Sequence, residues 1–318
     1  MKRKFTGAIA LLVTVVLVGL VVLNAQYVRD WAVVQATDVQ PAAAVLEDSI
    51  SLTDAGSFTY EASLPEVLGA DTFNAACGNV AKEQSVVLGC YTRQRFYVYD
   101  VTDPRLNGVQ EVTAAHELLH AMYERLSQSE RDKLDRQLIT AAAAIQDEQF
   151  KATVDAYKVL EPNEISNELH SILGTEIAVL PQALEDHYAR YFKDRSKIVR
   201  YTQGYQEQFV SIENQIKSYD QQLAALKQQI EATEATISRL ESQLNSDQQQ
   251  MSVLRRTDVA AYNAMVPAYN QTVKEYNVAV TTAQQLTSEY NDIVASRNEL
   301  AATQTELTNQ LDSNYQTR

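Results

Sequence analysis

His116 and His120 stand four residues apart in the stretch Thr113-Ala114-Ala115-His116-Glu117-Leu118-Leu119-His120-Ala121. On a helix this spacing stacks both imidazoles on one face, one turn apart, so that both reach a single metal ion. Glu117 follows the first histidine and projects from a neighbouring face. There a carboxylate can take a proton from a water held on the metal without itself becoming a ligand. Val112, Ala114, Ala115, Leu118 and Leu119 supply the uncharged, mostly apolar surroundings that a buried active-site helix requires. The bland alternative is a core helix with two hydrogen-bonded histidines. The chain holds only four histidines, all between positions 116 and 187, and that clustering points to a shared site.

His116-Glu117-Leu118-Leu119-His120 resembles the signature of the zincin metallopeptidases. Met122 and Tyr123 continue an ordinary helix where the metzincin pattern would extend, so a third ligand must come from elsewhere. Gluzincins take a glutamate from a second, downstream helix. Asn167-Glu168-Leu169-His170-Ser171 is similar to the Asn-Glu-x-x-Ser part of the thermolysin-like pattern. Ile172 departs from it, standing where those enzymes carry an aspartate that orients one histidine, so some other acceptor must fix that imidazole. The resemblance spans at most residues 56–195 and is specific only at the two motifs. It implies Zn2+ held by His116, His120 and Glu168, with Glu117 as general base and a protein or peptide as substrate.

Periodicity alone leaves the third ligand open among Glu168, Glu164 one turn before it, and Glu176 beyond Gly174. A donor to a tetrahedral oxyanion, or a group that supports the ligands from behind, is equally open among His170, His187, Tyr123 and Tyr188, with Tyr191 a further candidate donor. Cys77 and Cys90 are the only cysteines. In an oxidising compartment they favour a disulfide, and in a reducing one two buried thiols.

The elements around these residues read as an α+β domain, mainly helical with a small sheet. Ser57–Ala62 leans towards strand and Pro65–Ala76 towards helix. Ser85–Leu88 and Arg95–Val101 read as strands; the zincin resemblance implies that the second runs along the cleft, and its alternating aromatic residues equally suit the packing of a small sheet. The histidine helix is expected from Val109 to Leu126. Ser127 with Glu130 has capping-box spacing for the next helix, Pro162 suits a first helical turn, and Gly174 a helix end.

At the N-terminus, Lys2, Arg3 and Lys4 precede an apolar run from Phe5 to Leu23. The run is long enough to span a hydrocarbon core of ~30 Å. A signal anchor is the preferred reading and a cleaved signal its rival, because signal cores run only ~7–15 residues. Either way the positive-inside rule places the bulk of the chain outside the cytoplasm. Nucleic acid is excluded as a partner by a formal charge of −14 with no basic stripe.

The C-terminal third reads as a coiled coil. Pro181 is expected to open a helix of some sixty residues or more, with Phe209, Ile212, Ile216, Tyr219, Leu223, Leu226, Ile230, Ile237, Leu240 and Leu244 at steps of three and four. Tyr262, Tyr269, Tyr276 and Tyr290 begin a second pattern with Val266, Val273 and Val280, in which Pro267 marks a kink or a start. Two such segments suggest an antiparallel hairpin, and a parallel dimer is the competing arrangement. The expected plan is a tail at 1–5, an anchor at 6–24, a linker at 25–55, a zincin-like domain at 56–195 and a helical hairpin at 196–318. The function expected is a membrane-anchored, extracytoplasmic zinc peptidase. Its rivals are an envelope scaffold working through the coiled coil, with an envelope protein as partner and a vestigial or structural metal site, and a zincin fold that binds peptide without turnover.

Overall fold

The computed structural model of the chain describes residues 24–78, 87–160 and 162–314. The chain divides into two compact units, one comprising Met1–Gln208 with Leu307–Arg318 and the other Phe209–Glu306. The first unit is mainly helical with one small sheet. It begins with α1 (Ala25–Ala36), α2 (Pro41–Ile50) and α3 (Asp54–Ala62). Pro41 sits in the first turn of α2, where a missing N–H breaks no helical bond. The hydroxyl of Thr53 accepts from Gly56 N–H at 3.1 Å and starts α3.

Strand β1 (Glu66–Leu68) leads through α4 (Ala70–Cys77) to the hairpin β2 (Gly89–Thr92) and β3 (Arg95–Tyr99). The strand order is β1-β3-β2, with β1 parallel and β2 antiparallel to β3. Arg93 and Gln94 form the two-residue hairpin loop with φ of 51° and 63°, the left-handed pair that a type I′ turn needs. β3 is therefore the central strand and β2 the edge. Of the two readings of Arg95–Val101, the structure gives the packed one, because both sides of β3 are already paired.

The helices that follow are α5 (Val109–Glu124), α6 (Gln128–Ala144), α7 (Glu148–Leu160), α8 (Ile165–Glu176) and α9 (Gln182–Tyr188). α5 carries the two histidines, and its Leu118 and Leu119 are fully buried against Ile172 and Leu173 of α8, Leu138 of α6, and Phe96 of β3 in one core. The Ser127–Glu130 capping box is present in full at the start of α6.

Several expected boundaries move. Ser57–Ala62 is helix within α3, because Thr53 caps it and Tyr60 anchors it by donating its hydroxyl to Ala43 O at 2.7 Å. Residues 25–55 are no spacer, since Ala43, Leu46, Ile50 and Leu52 are buried. α8 runs through Gly174 to Glu176. Pro181 opens only the seven-residue α9, and a new helix, α10 (Arg195–Thr257), starts after it. The anchor expected at 6–24 lies, apart from Asn24, outside the described residues. Among the described residues no helix is long and apolar enough to cross a membrane.

The second unit is built from the rest of α10 and from α11 (Val259–Leu311), with Asp258 between them. Arg297 Nε donates to Asp220 Oδ1 at 2.9 Å, and these positions are nearly equidistant in sequence from Asp258. The two long helices of this unit therefore fold back on each other. The apolar steps are its least exposed positions, with Ile212, Leu226 and Leu240 buried. α11 begins before Pro267 and continues through it. The final residues rejoin the first unit, where Ser313 Oγ donates to Asn74 Oδ1 and Asn74 Nδ2 to Ser313 O, each at 2.7 Å.

Cys77 and Cys90 are joined by a disulfide with Cα atoms 5.9 Å apart, tying α4 to β2. With a separation of 13 residues, the cross-link restricts the unfolded chain by an amount worth roughly 3 kcal/mol before strain. Urea unfolding with and without reductant should show a loss of about that size, matched by a Cys77→Ser, Cys90→Ser double variant.

Candidate metal centre

α5 and α8 cross so closely that no β-carbon fits at Gly174. One built there would stand 2.5 Å from Leu119 Cδ1 and 2.8 Å from Tyr188 Cε1. This contact explains why the helix does not end at Gly174, where a glycine on its own reads as a terminator. It also brings the histidine face of α5 onto the Glu168 face of α8. His116 Nε2 lies 3.8 Å from Glu168 Oε2, and His120 Nε2 lies 3.5 Å from Glu168 Oε1. The ligand atoms of all three residues fall within 4.8 Å of one another. Ligands about 2.1 Å from a shared ion at tetrahedral angles stand roughly 3.4 Å apart, so this donor set fits one zinc-sized ion with little movement. Two neutral imidazoles and one carboxylate are also the ligand chemistry that Zn2+ takes in sites with an open position. Burial, and then the neighbouring His120, hold the His116 imidazole well below its usual range and keep it in the neutral, ligating form.

Asn167 supplies the acceptor that Ile172 does not. His120 Nδ1 lies 3.0 Å from Asn167 Oδ1, and an amide oxygen can only accept. The proton therefore sits on Nδ1 and the lone pair on Nε2 faces Glu168. Asn167 Nδ2 in turn donates to Glu164 Oε2 at 3.4 Å, which fixes the orientation of the amide. Glu164, one of the alternative ligands, is exposed at the start of α8 and stands behind Asn167, away from the ligand cluster.

Glu117 is buried and opens on a cavity of about 160 Å³ that it shares with His116. The backbone of β2 presses on it: a β-carbon at Gly89 would stand 2.5 Å from Glu117 Oε1 and 2.6 Å from Thr113 Cγ2. Only glycine lets the edge strand come this near the carboxylate. Tyr99 N–H donates to Leu88 O at 2.8 Å, which sets Leu88, Cys90 and Thr92 towards β3. The N–H and C=O of Gly89 and Tyr91 consequently point out from the sheet edge beside Glu117.

Glu176, the other alternative ligand, also lines this cavity but is not one of the three converging groups. Burial alone pushes its pKa up to about 7. Tyr157 and Tyr205 complete the polar lining. Neither was singled out in the sequence. Tyr157 lies on a helix without a motif, and Tyr205 precedes a run whose pattern reads simply as packing.

The expected oxyanion donors lie elsewhere, and none of them is among the residues lining the cavity. Tyr123 donates its hydroxyl to Asp135 Oδ1 at 2.7 Å, and Tyr188 to His170 O at 2.7 Å. Tyr191 packs its ring on His187. His170 is fully buried with Nδ1 3.2 Å from Leu119 O, so Nδ1 must carry the proton. Its Nε2 then accepts from His187 Nε2 at 2.9 Å. This pair joins α5, α8 and α9 behind the site. The described contacts of these five residues therefore lie behind the ligand cluster and not in the cavity.

No protein-family model matches this chain, and no curated protein or solved structure matches it.

Asn167→Ala removes the acceptor that holds the His120 tautomer. It should weaken zinc binding by about 10- to 100-fold in a competition titration with a chelator, at unchanged thermal midpoint in the zinc-free protein. The His170–His187 pair gives the chain an acid-sensitive joint. Burial, then Arg190, lowers the His187 pKa from 6.5 to about 4. Because the folded value is depressed, the unfolded chain binds more protons between the two values. Stability is therefore full above pH 6.5 and falls as the pH drops towards 4. The loss should be on the order of 2–3 kcal/mol, read as a falling urea midpoint, and His187→Gln should flatten that fall.

Proposed function

We propose that this chain is a zinc-dependent peptidase of the gluzincin kind, anchored at the N-terminus and acting outside the cytoplasm. The observation that carries the reading is the convergence of His116, His120 and Glu168 on one point while Glu117 opens on the cavity beside them. A purely structural metal site has no need of a buried carboxylate facing the space next to its ligands. The edge of β2, unpaired among the described residues, adds a second support, since an extended peptide can pair with Gly89 and Tyr91 as an added strand. That pairing lays a peptide bond across the cavity mouth beside Glu117.

When bound, Zn2+ supplies Lewis acidity and a nucleophile available at neutral pH. Asn167 holds the His120 ring in its ligating tautomer, and α8 holds Glu168 opposite both imidazoles. Glu117 accepts a proton from the attacking water and delivers it to the leaving amine as the C–N bond breaks, so the carboxylate ends the cycle as it began. The N-terminal anchor and the extracytoplasmic location rest on the basic, then apolar, sequence of the first residues. The fold-back of the long helices and their buried three-four stripe support a coiled-coil hairpin in the second unit.

Purified protein should carry one equivalent of zinc and lose it on His116→Ala. Glu117→Gln should keep the metal and lower peptide hydrolysis by about 10²- to 10⁴-fold. Unchanged hydrolysis in that variant would sink the peptidase reading and leave the scaffold one.

A further inference from the structure

We infer that the cavity next to His116 and Glu117 is a subsite for a cationic side chain, lysine or arginine, of the peptide substrate, selected by Glu176. The inference rests on the peptidase reading and gives it a substrate class. A volume of about 160 Å³ suits one amino-acid side chain; pockets for larger organic ligands occupy roughly 300–1,000 Å³. His116 and Glu117 line the same space, so a side chain that enters it belongs to a residue flanking the bond to be cut.

The lining sorts by chemistry. Val87, Leu88 and Val112 offer aliphatic walls for the methylene stem of a long basic residue. Among the described residues, Glu176 is the one carboxylate in the lining besides Glu117. Among the described residues it makes no hydrogen bond and no ion pair, and desolvation is the only influence that shifts it. Arg195, which binds carbonyls at the end of α8, is engaged elsewhere. It donates to Ile177 O at 2.7 Å and to Gly174 O at 3.3 Å, and pairs with Glu185 at 2.5 Å. Among the described residues no cation pairs with this largely buried carboxylate, an arrangement that is costly to the fold unless a ligand brings one.

Glu176 is also the last residue of α8, and the carbonyls of Gly174 and Thr175 before it are bonded by Arg195 and Thr202, so the negative charge that lines the cavity there is its own carboxylate. When ionised, that carboxylate attracts a cation that enters and repels an anion. Glu176 is not close enough to the His116–His120–Glu168 cluster to be spent on the metal.

The test uses full-length, zinc-loaded protein and two peptide hydroxamates that differ only in carrying lysine or norleucine at the residue entering the cavity. Calorimetry should show the lysine probe binding about tenfold tighter or more. In Glu176→Gln the ratio should fall to near one, and Glu176→Asp should restore most of it. Equal affinities in the wild type, or a preference that survives Glu176→Gln, would overturn the subsite and leave the peptidase reading intact. Absence of zinc together with absence of hydroxamate binding would end both.

Discussion

The spacing between α5 and α8 is the constraint on which the site depends. Leu119 of α5 and Gly174 of α8 meet with no room for a β-carbon, and His170 clips the two helices by donating to the Leu119 carbonyl. Leu119 lies between the histidines in sequence, and His170 lies two residues after Glu168. The packing contact and the ligand contact are therefore set by the same few residues. A shift of one helix against the other by even an ångström would open the gap between imidazole and carboxylate beyond what one ion bridges. Close packing here supplies geometric precision as well as stability.

The four histidines do two different kinds of work, decided by what each ring nitrogen faces. His116 and His120 turn their Nε2 atoms to a carboxylate, and an amide fixes the tautomer of the second. His170 and His187 use theirs on a backbone carbonyl and on each other, in the layer behind. The carboxylates divide in the same way. Glu168 meets both imidazoles, Glu164 steadies Asn167, and Glu176 faces the cavity with burial as the only influence on its charge. Arg195 contributes indirectly, tying the carbonyls at the end of α8 to α9 through Glu185 and so holding the far end of the glutamate helix.

The two units are stabilised by different means. The first has a core gathered from α2, the sheet and the helices α5 to α9, with a disulfide and buried polar networks. The second depends on a repeating stripe of half-buried Tyr, Val, Leu and Ile positions on two helices, with few fully buried side chains. A repeat of this kind gives length at little cost in sequence complexity, and each layer contacts only its neighbours. The residues able to do chemistry are concentrated in the first unit.

What the sequence alone determined was whatever depends on short spacing. The four-residue step of His116 and His120 needs only a helix to place both rings on one face. The three-four apolar steps beyond Phe209 need only a helix to become its least exposed stripe. The capping box at Ser127 works within one turn. Tertiary structure decided everything that depends on distance between elements. Gly174 reads as a stop until Leu119 and Tyr188 are packed against it. Arg95–Val101 suits a cleft strand and a packed one equally until β1 occupies its second edge. Residues 25–55 read as a linker until Ala43, Leu46, Ile50 and Leu52 are packed in the interior. Asn167 could not be distinguished from any polar helix residue before the fold set its amide oxygen 3.0 Å from His120. Local propensity has no access to such partners, because each comes from a segment tens of residues away and is chosen by packing.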